Sequence, residues 1–392
     1  VSMKTVSIFG ATGTVGQKAL SLIAGTPGQY RVHTLAAGRD AAGLAAAARN
    51  AGARRAVLAD AAHYSALKEH LSGTGIEAAA GQQALLEAAA EPVDVGVAAI
   101  VGVAGLAPTL VQAANAKVLA LANKESVVCA GALLRDIVSS SGNQLIPVDS
   151  EHNALFQLLR GMGQDNTLTK VTLTASGGAF RTRPLNTFAS ITPQEATRHP
   201  IWTMGQKISV DSATLMNKAL EVIEAHFLFD IPPQQIDVLV HPQAAVHALA
   251  HYADGSSFAH ISVADMAVPL AFALRYPQRF SGAAASLDLT QYPDGLQFTA
   301  PDAARYPCLH LAYAAMDKGL AACITLNAAN EVAVAAFLKG RIPFTAIAEL
   351  CASSLADASN GAIYSIDDVF AEDARARAVT EECISRLNKR AG

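Results

Sequence analysis

Two acidic residues close an apolar run in Leu145-Ile146-Pro147-Val148-Asp149-Ser150-Glu151-His152-Asn153. In extended backbone, Asp149 and Glu151 project to the same side. Open α/β sheets bind ligands beyond the carboxyl ends of their strands, where this pair falls. Carboxylates held close repel unless a proton or a cation lies between them, and all-oxygen ligation suits Mg²⁺ or Mn²⁺ rather than zinc. The same residues also suit a plainer role, with Asp149 or Ser150 capping a helix that starts near Ala154. A second group lies in Asp211-Ser212-Ala213-Thr214-Leu215-Met216-Asn217-Lys218-Ala219-Leu220-Glu221. Thr214 and Lys218, and Asn217 and Glu221, are four apart, and Lys218 and Glu221 three apart, which predicts one polar helix face. That face can hold a phosphate and lend a third carboxylate to a metal, or it is a solvated surface with one Lys–Glu pair.

Gly10-Ala11-Thr12-Gly13-Thr14-Val15-Gly16 follows the first strand-like run and opens a helix. Glycines there permit a tight turn and let backbone N–H groups approach a pyrophosphate at a helix N-terminus. The next strand ends in Leu35-Ala36-Ala37-Gly38-Arg39-Asp40, with no acid at the strand end to hold a ribose 2′-hydroxyl. Arg39 could instead pair with a 2′-phosphate, which favours NADP; a solvated surface arginine is the alternative. Ser176-Gly177-Gly178 offers a hydroxyl and a pliable backbone to a phosphate. Trp202, the only tryptophan, ends a long irregular segment as a lid residue or as an aromatic anchor. His241 and His247 sit on apolar strands and read as core.

The elements that must position these groups are legible as patterns. Val6–Phe9, Val32–Ala36, Ala56–Leu58, Val93–Ala99, Val118–Ala122 and Gln144–Val148 read as buried strands. They alternate with helical stretches at Gln17–Ala24, Ala41–Ala51 and Gln82–Ala90, which predicts a doubly wound parallel sheet over 1–148. Residues 149–275 read as an α+β catalytic segment with one long helix over 211–229 and a flap at about 177–205. Proline-rich 276–305 reads as a linker, and 306–392 as a helical domain with amphipathic helices at Ala328–Leu338 and Ile342–Leu355. With 392 residues, 51% hydrophobic and 16% charged, the chain is too apolar to be disordered. A net charge of −4 argues against a general nucleic-acid binder. Five dispersed cysteines fit reduced thiols. A strand pattern beginning at Lys4 leaves no room for a signal or transit peptide. The longest apolar run considered, Val93–Leu110, is interrupted by Asp94 and Pro108, so no membrane span is expected. The expectation is a soluble, cytoplasmic, multidomain protein.

Taken together, these motifs resemble the 1-deoxy-D-xylulose 5-phosphate reductoisomerase family over essentially the whole chain. The carriers include the Gly10–Gly16 turn, Ala99-Ile100-Val101-Gly102, Leu121-Ala122-Asn123-Lys124-Glu125-Ser126 and the Asp149 segment. They continue through Ser176-Gly177-Gly178, His199-Pro200-Ile201-Trp202-Thr203-Met204-Gly205, Lys207–Glu221, Val240-His241-Pro242-Gln243 and Leu326-Asn327-Ala328-Ala329-Asn330-Glu331. The resemblance implies that Asp149, Glu151 and Glu221 ligate a divalent metal (Mg²⁺ or Mn²⁺, with Co²⁺ also usable), with Lys124 among the catalytic residues. It implies substrate contacts from Ser150, Glu151, Ser176, His199, Trp202, Ser212, Asn217, Lys218 and Glu221. NADPH contacts follow at Thr12, Gly13, Thr14, Val15, Gly38, Arg39, Asp40, Ala99, Asn123, Glu125, Met204 and Gly205. It further implies a phosphorylated sugar substrate, a homodimer in the bacterial cytoplasm, and no nucleic-acid or membrane partner. The chain departs from the family in Ala264-Asp265-Met266-Ala267, where Pro-Asp-Met-Arg is common, and at Gln206, often Arg or Lys.

The chemistry so implied is a metal-assisted carbon-skeleton rearrangement, by retroaldol–aldol steps or a ketol shift, followed by hydride transfer from NADPH. Two rivals share the opening turn. A dehydrogenase like aspartate-semialdehyde dehydrogenase needs a nucleophilic cysteine, for which Cys129 is the candidate. A non-catalytic NADP-sensing protein has no use for the three carboxylates.

Overall fold

The computed structural model describes residues 3–161, 167–202 and 204–391. The chain divides into two compact units, one of residues 1–126, 132–156 and 265–286, the other of 127–131, 157–264 and 287–392.

The first unit is built on a seven-stranded sheet of β1 (Lys4–Phe9), β2 (Tyr30–Ala37), β3 (Arg55–Leu58), β4 (Glu77–Ala80), β5 (Val93–Ala98), β6 (Ala116–Leu121) and β7 (Gln144–Pro147). Its order is β4-β3-β2-β1-β5-β6-β7, and every pairing is parallel. Parallel strands need helical crossovers, and helices such as Thr14–Ala24 and Ala41–Ala51 supply them. Because both faces are covered, the strands are runs of buried Val, Ile, Leu and Ala, with Val6, Ile8, Leu35, Val95 and Val97 fully buried. Sequence reading passed over β4, since Glu-Ala-Ala-Ala carries helix propensity; pairing with β3 overrides it. Residues 267–275, assigned from sequence to the central segment with no element of their own, form helix Ala267–Arg275, which packs Leu270 and Leu274 into the core of this first unit. Asp265 ahead of it pairs with Lys18 at 3.1 Å and accepts the Ala267 N–H at 2.8 Å.

The second unit holds a four-stranded sheet, β8 (Leu168–Ala175), β9 (Ile236–Val240), β10 (Val246–Tyr252) and β11 (Ser257–Ile261), in the order β11-β10-β8-β9. β8 and β9 are parallel; β10 runs antiparallel to β8 and β11. The stretch expected as a linker is tied down, since Val240 and Thr299 exchange backbone hydrogen bonds of 2.8 and 3.0 Å. Helix Leu320–Leu338 is not amphipathic. It is long and apolar enough to cross a membrane by length and composition, a run the sequence reading overlooked, and its residues are mostly buried. Helices Pro307–Lys318, Ala346–Ala356 and Ile366–Ala391 pack around it, so it is the core helix of this unit.

The turn after β1 allows no side chain at its first position. Gly10 adopts φ +97°, and a Cβ there would lie 2.3 Å from the Ala99 carbonyl oxygen. Gly10→Ala is therefore expected to cost at least about 3 kcal/mol of stability, seen as a lowered thermal midpoint with loss of NADPH binding.

Candidate active site

Asp149 and Glu151 do not lie on extended backbone. Helix Ser150–Gly161 begins directly after Asp149, so Glu151 stands in its first turn. Asp149 Oδ1 accepts the Glu151 N–H at 3.3 Å and lies 3.2 Å from His152 Nδ1, while Oδ2 accepts from Lys124 Nζ at 3.2 Å. One carboxylate thus caps a helix and meets a cation. Ser150 Oγ donates to Glu151 Oε2 at 2.6 Å. Lys124 comes from the first turn of helix Lys124–Ser141, capped by Asn123, whose side chain accepts from Ser126 N–H at 2.9 Å. Asn123 Nδ2 also donates to the carbonyls of Ile100 and Gly102 at 2.6 and 3.1 Å and to Glu125 Oε2 at 3.0 Å. Asn123 and Glu125 thereby hold the segment after β5, next to Ala99.

Among the described residues no side chain caps helix Thr14–Ala24 at Gly13, and its first turn has no acid. Thr12 is half-buried, and Gly13 and Thr14 are exposed. Such an uncapped helix start presents N–H groups to an anion. Gly38 and Arg39 line an open cleft of about 420 Å³ together with Ala59, Asp60, Ala61 and Gln82. Asp40 has a structural task as the N-cap of helix Ala41–Ala51, accepting the Gly43 N–H at 2.9 Å. These features fit a phosphorylated dinucleotide.

The remaining residues lie in the second unit. The helix expected over 211–229 is two helices, Gln206–Thr214 and Met216–Phe229, separated by Leu215 at φ +56°. Thr214 belongs to the first of them, where its hydroxyl donates to the Val210 and Asp211 carbonyls and accepts the Met216 N–H. It leaves the expected polar face. Asn217, Lys218 and Glu221 remain together: Asn217 Nδ2 and Lys218 Nζ both donate to the Glu221 carboxylate. Lys218 and Glu221 are buried, at 3% and 1% exposure.

Ser212 precedes the break, and the Ser176 loop is pressed against it. Gly178, at φ +66°, would place a Cβ 2.5 Å from the Ser212 carbonyl oxygen. His199 Nδ1 accepts the N–H groups of Ile201 and Trp202 at 3.2 and 2.8 Å. Its proton therefore sits on Nε2, which donates to Ser176 Oγ at 3.1 Å. Ser176 Oγ also accepts the Gly178 N–H at 3.2 Å, leaving its own hydroxyl hydrogen for a ligand. Trp202 and Met204 are half-buried; Thr203, within the expected flap, lies outside the described residues. Gly205 starts helix Gln206–Thr214. The segment expected to be an irregular flap is more regular, with a 3₁₀ turn at Leu185–Ser190 and a short helix at Pro193–Ala196. Thr192 and Glu195 form a capping box there, a signal present in Thr-Pro-Gln-Glu.

Three family models match, described as 1-deoxy-D-xylulose 5-phosphate reductoisomerase over residues 6–131, its C-terminal domain over 145–229, and DXP reductoisomerase C-terminal domain over 261–379. The 1-deoxy-D-xylulose 5-phosphate reductoisomerase of Rhodospirillum centenum is 48% identical, covering 98% of this chain and 95% of its own. That of Zymomonas mobilis is 46% identical, covering 95% and 96%. The chain belongs to the 1-deoxy-D-xylulose 5-phosphate reductoisomerase family. Its fold agrees with a solved Zymomonas mobilis reductoisomerase in complex with NADPH, at TM-score 0.91 and 43% identity over 97% of this chain and 99% of that one. A DOX-P reductoisomerase in complex with NADPH, fosmidomycin and magnesium also gives TM-score 0.91, at 38% identity over 98% and 99%.

Within this family the rival readings lose their footing. Cys129 is fully buried beside a kink at Ala130, as a small hydrophobe. Two residues without an expected role carry structural weight near the candidate substrate groups: Asn330 donates to the buried Asp211, and Tyr306 donates to the Gly177 carbonyl at 2.8 Å. Both lie far along the chain from the groups they support; Asn330 falls in the Leu326–Glu331 motif, and no local pattern marks Tyr306.

Burial holds the His199 imidazole below the usual histidine range. The unfolded chain takes up that proton first as pH falls, so this contribution to stability is present above about 6.5 and is lost below it. His199→Asn, which keeps an acceptor for the two N–H groups, is expected to flatten the decline of the thermal midpoint between about pH 7 and 5. An unchanged slope would overturn the assignment.

Proposed function

We propose that this chain converts 1-deoxy-D-xylulose 5-phosphate to 2-C-methyl-D-erythritol 4-phosphate, with NADPH as reductant and a divalent cation as cofactor. The observation that carries this reading is the family match over nearly the whole chain.

Asp149, Glu151 and Glu221 would hold the cation. The donor set fits: three carboxylates, no thiolate, with oxygen ligation suited to Mg²⁺ and also to Mn²⁺ or Co²⁺. When bound, the cation polarises substrate oxygens and NADPH supplies the hydride. The chain's own groups bind and orient. Ser176 offers its hydroxyl hydrogen, and Ser212, Asn217 and Lys218 would join it on the phosphate, with neutral His199 as the support of Ser176. Phosphate binding far from the reacting carbons can then support orientation. Ser150 would meet a substrate oxygen, and Lys124 would balance Asp149 while no cation is bound. Trp202 and Met204 would cover the substrate and exclude water. Gly13, Thr14 and Val15 would meet the pyrophosphate and Arg39 the 2′-phosphate; Thr12, Gly38, Asp40, Ala99, Asn123, Glu125 and Gly205 would complete the NADPH contacts.

A homodimer is supported by β11, an edge strand that exposes Phe258 and Ile261. Five cysteines dispersed along the chain, four of them buried, support a reducing, cytoplasmic setting. The near-neutral charge supports a small-molecule substrate rather than a nucleic acid.

Oxidation of NADPH in the presence of 1-deoxy-D-xylulose 5-phosphate should require Mg²⁺ or Mn²⁺, stop with excess chelator and resume on adding metal. Loss of an outer partner of a metal costs up to about 100-fold, so Glu221→Gln should cost at least about that in kcat. NADPH affinity should stay within about twofold, since the nucleotide contacts lie elsewhere. Full activity in this variant would sink the metal assignment.

A further inference from the structure

We infer that Asn330 is a positioning residue that sets the rotation of helix Gln206–Thr214 and so aims Ser212 at the substrate phosphate; this rests on the phosphate reading above.

Asp211 is a carboxylate with 1% exposure on the buried side of that helix. A charge so far from water must be met by partners. Lys207, one turn earlier, lies 2.9 Å from Oδ2, and Asn330 Nδ2 donates to Oδ1 at 2.8 Å. Lys207 belongs to the same helix as Asp211, whereas Asn330 stands on the mostly buried helix Leu320–Leu338 and is itself fully buried, so its hydrogen bond ties one helix to the other. The Asn330 side-chain oxygen has no partner among the described residues, while its Nδ2 donates to Asp211. An unsatisfied buried acceptor is costly and points to a specific use.

Consecutive residues on a helix are about 100° apart. Pinning Asp211 to Asn330 therefore also fixes the angular position of Ser212, whose carbonyl oxygen lies against Gly178. The close approach of Gly178 to the Ser212 backbone shows that this rotation has no slack, since not even a Cβ fits between them. The same helix ends at Thr214, whose hydroxyl caps Met216, so its rotation also feeds the left-handed step at Leu215 that precedes Asn217 and Lys218. Asn330 touches no reacting group; it acts through Asp211.

The test is a set of variants read by equilibrium binding and steady-state kinetics of the full chain. Asn330→Ala should raise the KM for 1-deoxy-D-xylulose 5-phosphate, and the inhibition constant of inorganic phosphate, by roughly tenfold each, with kcat changed less than threefold and NADPH affinity unchanged. The exchange variant Asp211→Asn/Asn330→Asp restores an amide–carboxylate pair and should recover most of the phosphate affinity. A merely structural role predicts lower thermal stability without that split between KM and kcat and without rescue, and would overturn the inference. If Asn330→Ala does not fold, the exchange variant alone decides, through phosphate affinity near or far below the parent's. Ser212→Ala separates the two levels: no effect on phosphate affinity there would refute the phosphate reading itself. A loss in Ser212→Ala without one in the Asn330 variants would refute only the positioning role.

Discussion

Glu221 is a carboxylate almost wholly out of water, and nothing in a protein interior is less tolerable than such a group alone. The chain answers with Asn217 and Lys218 on the same helical turn, both donating to it. That pairing constrains much else. Lys218 and Glu221 can each be buried because the other meets its charge. Asp149 repeats the solution in the first unit, shared between Lys124 and the start of its own helix. Each acid candidate for the metal thus arrives with a partner already in place. This suits a site that must remain folded both before and after a cation binds.

Much of the first unit was legible because its physics is local. Buried parallel strands announce themselves as runs of Val, Ile and Ala between glycine-marked turns, and six of seven were read from sequence to within a few residues. The seventh, Glu77–Ala80, was not, since alanine and glutamate carry no strand preference and only the neighbouring edge of β3 recruits them. The helix at Ala267–Arg275 is hidden in the sequence for a different reason. Its destination in the first unit is a matter of long-range packing, and nothing in its own residues declares it.

The second unit shows where spacing misleads. A four-residue interval between Thr214 and Lys218 implies one face only if the helix is continuous, and Leu215 breaks it with a left-handed residue that no glycine or asparagine announces. The polar cluster survives because Asn217, Lys218 and Glu221 all lie beyond the break. Likewise Asp149 and Glu151 were paired by strand geometry, yet the helix starts at Ser150. The capping reading of Asp149 holds, since Oδ1 accepts the Glu151 N–H while Oδ2 faces Lys124.

The glycines explain why this geometry is held without a ligand. Gly10 and Gly178 do not merely relieve strain; each lets one backbone segment rest directly on another, Gly10 on Ala99 and Gly178 on Ser212. A contact between backbones has no rotamers to adjust and so transmits position faithfully. Ser176 is fixed twice over, by the Gly178 N–H and by His199, whose other nitrogen is occupied by the chain leading to Trp202. The hydroxyl proposed to greet the phosphate is therefore connected through one imidazole to the loop proposed to cover it. Any displacement of Trp202 must therefore carry His199 along or break its hydrogen bond, which couples the position of that segment to the orientation of Ser176.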